Sequence, residues 1–162
     1  MAPIALSFEG FEQFTKSLIG LPVSRVWQGY GSAIFLEFGV LHSTRKRDGQ
    51  PGSPRGEWSL MIEWSWRIEG KRRIWCGSWS DGERWPRAFA RLQNGAVESV
   101  SLFGRLKELD LSLTNGLHLL SMMTAEGDPT WALMKREDGE SRSVGVTAGR
   151  LYIDPALADA TS

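Results

Sequence analysis

Cysteine is nearly absent from this chain of 162 residues: Cys76 is the only one. One thiol makes neither an internal disulfide nor a cysteine-based zinc site, and a reducing cytoplasm is the expected location. Histidine is almost as scarce, with His42 and His118 alone. Excess charge is missing too. The 19 basic residues balance 19 acidic ones, which removes any global electrostatic drive toward nucleic acid or a membrane surface. No stretch approaches the roughly 20 consecutive apolar residues that span a bilayer. The first nine residues lack the basic start and long apolar run of a secretory leader. A membrane partner is therefore not expected, nor is nucleic acid.

The signatures of common chemistries are also missing. No Gly-Lys-Ser/Thr follows the glycines of 49–56, so there is no phosphate-binding loop. The run Gly77-Ser78-Trp79-Ser80-Asp81-Gly82 has no nucleophile elbow, because Ser78 falls in a strand and turn and not between a strand and a helix. Neither a His-Glu-x-x-His helix nor a calcium-binding loop occurs. Cys76 has no neighbouring histidine and reads as a buried structural thiol. No catalytic residue and no cofactor are assigned.

What the chain has in abundance is tryptophan. There are eight, and six of them fall between Trp58 and Trp85. Each brings a large apolar area and one polar N–H, which suits both cores and binding surfaces. The chain also repeats itself. Leu18-x-Gly20-x-x-Val23-x-x-Val26 matches Leu92-x-x-Gly95-x-Val97-x-x-Val100. Ile34-x-Leu36 matches Leu109-x-Leu111, the turn glycines Gly39 and Gly116 follow, and Leu41-His42 aligns with Leu117-His118. Trp58-x-Leu60-Met61 aligns with Trp131-x-Leu133-Met134, at lags of 73 to 77 residues throughout. Each half opens with a short amphipathic helix. Ser7 caps one carrying Phe8, Phe11, Phe14 and Leu18, and Asp81 is placed to cap one carrying Trp85, Phe89 and Leu92, with Pro86 moving its regular start toward Trp85.

Strands follow each helix. Alternation predicts them near 22–28, 32–38, 40–43, 57–68 and 71–79 in the first half, and near 96–103, 106–113, 117–123, 130–136, 142–147 and 149–153 in the second. The stretch 57–68 reads as one long strand with Trp58, Leu60, Ile62, Trp64, Trp66 and Ile68 on a single face. Many short strands joined by tight turns predict an α+β, mainly β protein, an antiparallel barrel or sandwich built from two similar helix-plus-meander repeats with approximate two-fold symmetry. The expected organisation is a single domain over 1–162, repeats at 7–80 and 81–154, a flexible loop at 43–57 rich in Gly, Pro and charge, and a frayed tail at 155–162.

Charge is unevenly spread. Residues 45–73 hold eight basic and four acidic residues, whereas 74–162 hold nine basic and twelve acidic. Arg45, Lys46, Arg47 and Arg73 together with Trp64, Trp66, Trp75 and Trp79 are the candidate contact residues, because Trp and Arg are the types that dominate interface energetics. His42 and His118 are the only candidate metal ligands. They occupy matching places in the repeat, with Glu37, Glu108 or Asp110 available to assist, but no spaced third ligand accompanies them. Among strand carboxylates, Glu63 shares its strand with three tryptophans, yet alternation places it on the other face of the sheet.

The pattern carried by Val97, Val100, Leu109, Leu111, Gly116, Trp131 and Leu133, with Gly20, Val23, Val26 and Gly39 in the first half, resembles small bacterial domains of unknown function. Some of these are similar to immunity proteins of polymorphic toxin systems. The resemblance covers most of the chain, brings no catalytic residue, and implies a protein-binding role. The expected function is a non-catalytic cytoplasmic binding module using the Trp/Arg-rich hairpin and the basic loop, with another protein or a second copy of itself as partner. The alternative is a β-barrel binding a small ligand, or an enzyme, with a Trp-lined pocket.

Overall fold

A computed structural model of the chain describes residues 3–154 and the short strand at 157–158. Helix α1 (Phe8–Thr15) starts where Ser7 Oγ accepts the N–H of Gly10 at 3.0 Å, satisfying one of the free donors of the first turn. It buries Phe11 and Thr15 and runs into a turn of 3-10 helix, Lys16–Leu18, before Gly20 at φ 91° ends it. Helix α2 (Trp85–Leu92) follows a 3-10 turn, Gly82–Arg84. Arg84 takes the capping position and Asp81 makes no side-chain cap bond. Pro86 lies in the first turn, where its missing N–H would have no partner anyway.

The strands are β1 (Ile4–Ala5), β2 (Val23–Gln28), β3 (Ile34–Phe38), β4 (Trp58–Ile62), β5 (Trp66–Glu69), β6 (Ile74–Gly77), β7 (Val97–Phe103), β8 (Glu108–Leu113), β9 (His118–Ser121), β10 (Trp131–Glu137), β11 (Glu140–Thr147), β12 (Arg150–Ile153) and β13 (Leu157–Ala158). The larger sheet has the order β1-β12-β11-β10-β4-β3-β2, with β13 also paired to β11, and the smaller has β6-β5-β9-β8-β7. Every pairing is antiparallel. Leu36, Leu60 and Leu133 from the larger sheet and Ile68, Leu111 and Leu119 from the smaller share one apolar cluster with Phe11, Leu18 and Leu92 of the helical segments. The protein is mainly β, in two antiparallel sheets. Most of the expected tail, 155–162, lies outside the described residues; its strand at 157–158 pairs with Glu140 and Ser141.

Two expected strands are corrected. The segment 40–43 forms no strand, only an isolated bridge between His42 and Arg55. The long strand 57–68 breaks at Glu63–Ser65, because the chain leaves the larger sheet after Ile62 and enters the smaller at Trp66. Both pieces turn alternate residues to the shared core, so the period-two pattern passes through the crossover with only Trp64 falling outside. The crossover is pinned from the β2–β3 turn: Ser32 Oγ donates to the Trp64 carbonyl at 2.7 Å, and Trp66 Nε1 donates to the Ser32 carbonyl at 2.6 Å.

In the larger sheet β2-β3-β4 continues into β10-β11; in the smaller, β7-β8-β9 continues into β5-β6. A bulge falls between Val23 and Arg25 in β2 and between Val97 and Ser99 in β7, followed by the pairs Val26–Leu36 and Val100–Leu111. Where the two halves meet, Val23 N–H donates to the Gly95 carbonyl at 3.0 Å, and Val97 N–H donates to the Leu21 carbonyl at 2.9 Å, either side of a Pro22–Ala96 bridge. Leu60 and Leu133 are direct cross-strand partners.

Of the tryptophans, Trp58, Trp66, Trp85 and Trp131 are core, Trp27 and Trp75 half-buried, and Trp64 and Trp79 exposed. Urea denaturation therefore separates them. Trp66→Ala is expected to lose about 3–5 kcal/mol by opening a core cavity, whereas Trp79→Ala should change stability by no more than about 0.5 kcal/mol.

Candidate functional site

The contact surface expected from sequence divides into three parts. Arg45, Lys46 and Arg47 are exposed on the excursion between β3 and β4. Trp64 and Trp79 stand at the open end of the β5–β6 hairpin, and Arg73 and Trp75 lie toward its tip. Trp66 belongs to none of them: it is buried, its ring packing edge-on against Trp85 at 5.5 Å between centroids. It is a core residue because β5 turns its first side chain inward. No hydrogen bond or ion pair joins 43–57 to 64–79 among the described residues, and the two segments belong to different sheets.

The excursion is not a structureless loop. It doubles back as a ribbon, with His42 and Arg55 exchanging backbone bonds at 2.7 and 3.0 Å, Gly52 N–H donating to the Thr44 carbonyl, and Thr44 Oγ1 donating to the Ser53 carbonyl at 2.6 Å. Its base is clamped to the outer face of the larger sheet by Glu37. Alternation along β3 sends Ile34, Leu36 and Phe38 into the core and Glu37 outward, yet Glu37 is fully buried. Trp27 Nε1 and Gly56 N–H each donate to its carboxylate at 3.0 Å, Ser59 Oγ donates as well, and Arg55 and Arg136 approach it at 3.5 and 3.8 Å. Arg25 and Arg55 stack on Trp27, their guanidinium carbons 5.1 and 4.8 Å from its centroid, and Trp27 in turn stacks on Phe35 at 4.1 Å. A buried carboxyl group needs hydrogen-bond donors in place of its water, and here Gly56 and Arg55 of the ribbon are among them. Sequence reading placed Glu37 only as a possible helper for a metal. Its cover comes from Arg136, far along the chain on β10, and no linear pattern announces that contact.

The open end of the hairpin collects aromatics. Tyr30, on the turn before Ser32, is fully exposed, Trp64 is 58% exposed and Trp79 is 90% exposed. Their backbones are held while their rings are free. Ser32 bonds the Trp64 carbonyl, Ser78 N–H donates to the Trp66 carbonyl at 2.9 Å, and the turn around Trp79 is closed by Gly77 N–H to Ser80 Oγ at 3.0 Å. Ser78 Oγ is engaged by the Trp66 N–H, which gives it a structural role. Sequence reading missed Tyr30, because only the crossover to the second sheet brings its turn to Trp64.

At the other end of the hairpin, Trp75 carries the guanidiniums of Arg73 and Arg91, at 4.3 and 4.0 Å from its centroid, beside a cleft between the hairpin tip, the end of α2 and the β8–β9 turn. The histidines stand apart in role. His42 is exposed on the ribbon of the larger sheet, whereas His118 opens β9 in the smaller one, with Nδ1 2.8 Å from Asp110. Among the described residues no group of three or more His, Cys, Asp or Glu side chains is placed to hold a metal ion, so His42 and His118, the candidate metal ligands, belong to no such group. Cys76 is buried. Among the described residues no helix is long and apolar enough to cross a membrane. No protein-family model, curated protein or solved structure matches the chain, and the functional reading accordingly rests on these three surfaces.

The clamp at Glu37 has a measurable consequence. Glu37→Ala leaves the buried donors around it without an acceptor and should cost about 3–5 kcal/mol in urea unfolding. Glu37→Gln, which keeps the shape and one acceptor, should cost less. Limited trypsin digestion should cut at Arg45–Arg47 faster in both variants than in the wild type.

Proposed function

We propose that the chain is a non-catalytic protein-binding module, with Tyr30, Trp64 and Trp79 as its contact surface. The observation that carries this reading is the gathering of three exposed aromatic rings on one pinned end of the molecule. Large apolar rings left in water gain free energy by being covered, and Tyr and Trp are enriched at protein interfaces because each pairs a broad apolar face with a polar handle. Their fixed backbones reduce the ordering cost of binding. The basic ribbon 43–57 lies at the opposite end of β3 and β4 and takes the role of a second contact region, presenting Arg45, Lys46 and Arg47. A toxin-neutralising, immunity-type role in a bacterial cytoplasm is compatible with such a surface. A second copy of the chain is the other partner considered.

Double substitution Trp64→Ala/Trp79→Ala tests the reading. Partner capture from a native lysate, followed by mass measurement of the complex, should fall to background in the variant while its thermal midpoint stays within a few degrees of wild type. Capture that survives the double substitution argues against this surface.

We also propose that the two halves arose by duplication and are related by an approximate two-fold axis near Pro22 and Ala96. The matching bulges, registers and reciprocal bonds at the join support this. The arrangement makes each half self-complementary: β5 of one copy could occupy the place of β10 beside β4 of another. A fragment spanning 7–80 is thus expected to form a β-rich homodimer by light scattering and circular dichroism, and an unfolded monomer would count against the symmetry.

The alternative, a pocket lined by tryptophan, finds no support between the sheets, where Trp58, Trp66 and Trp131 fill the core. It survives only at the cleft beside Trp75.

A further inference from the structure

We infer that the cleft beside Trp75 binds a phosphate-bearing ligand, held by Lys71, Arg73 and Arg91. These cations come from two segments: Lys71 and Arg73 from the β5–β6 hairpin tip, and Arg91 from the last turn of α2. Arg73 and Arg91 stack on the Trp75 indole at 4.3 and 4.0 Å. Stacking fixes a guanidinium by its face and leaves its N–H edge free to fork toward an oxyanion. Lys71 lines the cleft beside them.

None of the three cations meets a carboxylate within ion-pair distance among the described residues. In a chain whose charges sum to zero, a cluster of like charges without counter-charge is unfavourable and is relieved by an anion. The negative end of the α2 dipole compensates Arg91 alone, since the effect fades within one turn.

The cleft is also built. Its volume is about 350 Å³, within the range of small-ligand sites. Asn115 shapes its floor, with Nδ2 donating to the Arg91 carbonyl at 2.9 Å and Oδ1 accepting from Leu117 N–H at 3.2 Å. Gly70 admits the indole, because a Cβ there would stand 2.2 Å from Trp75 Nε1. Trp75 Nε1 and the Asn94 side-chain amide have no partner in the described protein, and add donors to a lining that contains no carboxylate. Two guanidiniums and an ammonium offer more N–H donors than the two oxygens of a planar carboxylate accept, which favours a phosphate dianion.

Inorganic phosphate, titrated into the full chain by calorimetry at low ionic strength, is the probe, with acetate as the planar comparator. Saturable binding of one phosphate is expected, weakened at least about tenfold, or roughly 1.4 kcal/mol, in Lys71→Gln/Arg91→Gln. Acetate should bind at least about tenfold more weakly than phosphate in the wild type, by the same measure. The Trp64→Ala/Trp79→Ala variant, altered at the far end of the hairpin, should bind phosphate as the wild type does, which keeps this site separate from the proposed protein contact. Glycerol phosphate and a phosphoserine peptide then serve as competitors. Displacement by the first assigns a small phosphorylated molecule, and displacement by the peptide alone assigns a phosphorylated protein segment. Displacement by neither, equal binding of acetate, or undiminished binding in the Lys71/Arg91 double variant overturns the inference.

Discussion

The structure depends on strand pairing across the two halves of the chain, β4 with β10 and β5 with β9. The first half supplies β1, β2, β3 and β4 to the larger sheet and β5 and β6 to the smaller, and the second half supplies the rest of each, so neither sheet is complete without both halves. Leu60 faces Leu133 at the first junction and Ile68 faces Leu119 at the second, and all four are fully or almost fully buried. The crossover at Glu63–Ser65 is what makes this exchange possible. It explains why the backbone there is tied so closely to Ser32, and why the aromatics on it are presented rigidly.

The two outer sheet faces have different characters. The larger sheet carries Trp27, Phe35 and the buried Glu37 under a ribbon rich in arginine. The smaller carries a partly exposed hydrogen bond between His118 and Asp110 and a partly exposed ion pair between Arg67 and Glu69. Partly exposed pairs of this kind contribute little to stability. Glu37 is different in kind, because its several donors are organised around a carboxylate that water does not reach. The ribbon 43–57 is therefore part of the folded body at its base and a basic projection at its end.

The hairpin β5–β6 links the proposed activities. Its open end presents Trp64 and Trp79 beside Tyr30, and its tip gathers Lys71, Arg73 and Arg91 around Trp75. Between these ends Trp66, Ile68 and Cys76 anchor it in the core. A rigid element anchored at its middle and chemically distinct at its two ends can engage two ligands without the sites competing for the same residues.

Much of the fold was legible in the sequence. Period-two alternation located nearly every strand within a few residues, and Ser7 and Gly20 bounded the first helix, because these signals are local: side chains on a strand alternate whatever the strand pairs with. The division of 57–68 between two sheets was not legible, since both sheets bury alternate residues into one core and the pattern continues through the break. Burial of the individual tryptophans was equally hidden. Trp66 and Trp79 look alike in composition and neighbourhood, and only the position of the opposing sheet hides one and exposes the other. The sequence by itself determined a mainly β chain with two helices and a basic, Trp-rich middle. The tertiary structure alone decided that Ser32 meets Trp64, that Arg136 reaches Glu37, and that Arg91 joins Arg73 on Trp75, because each contact joins residues whose approach depends on how the strands exchange between the two sheets.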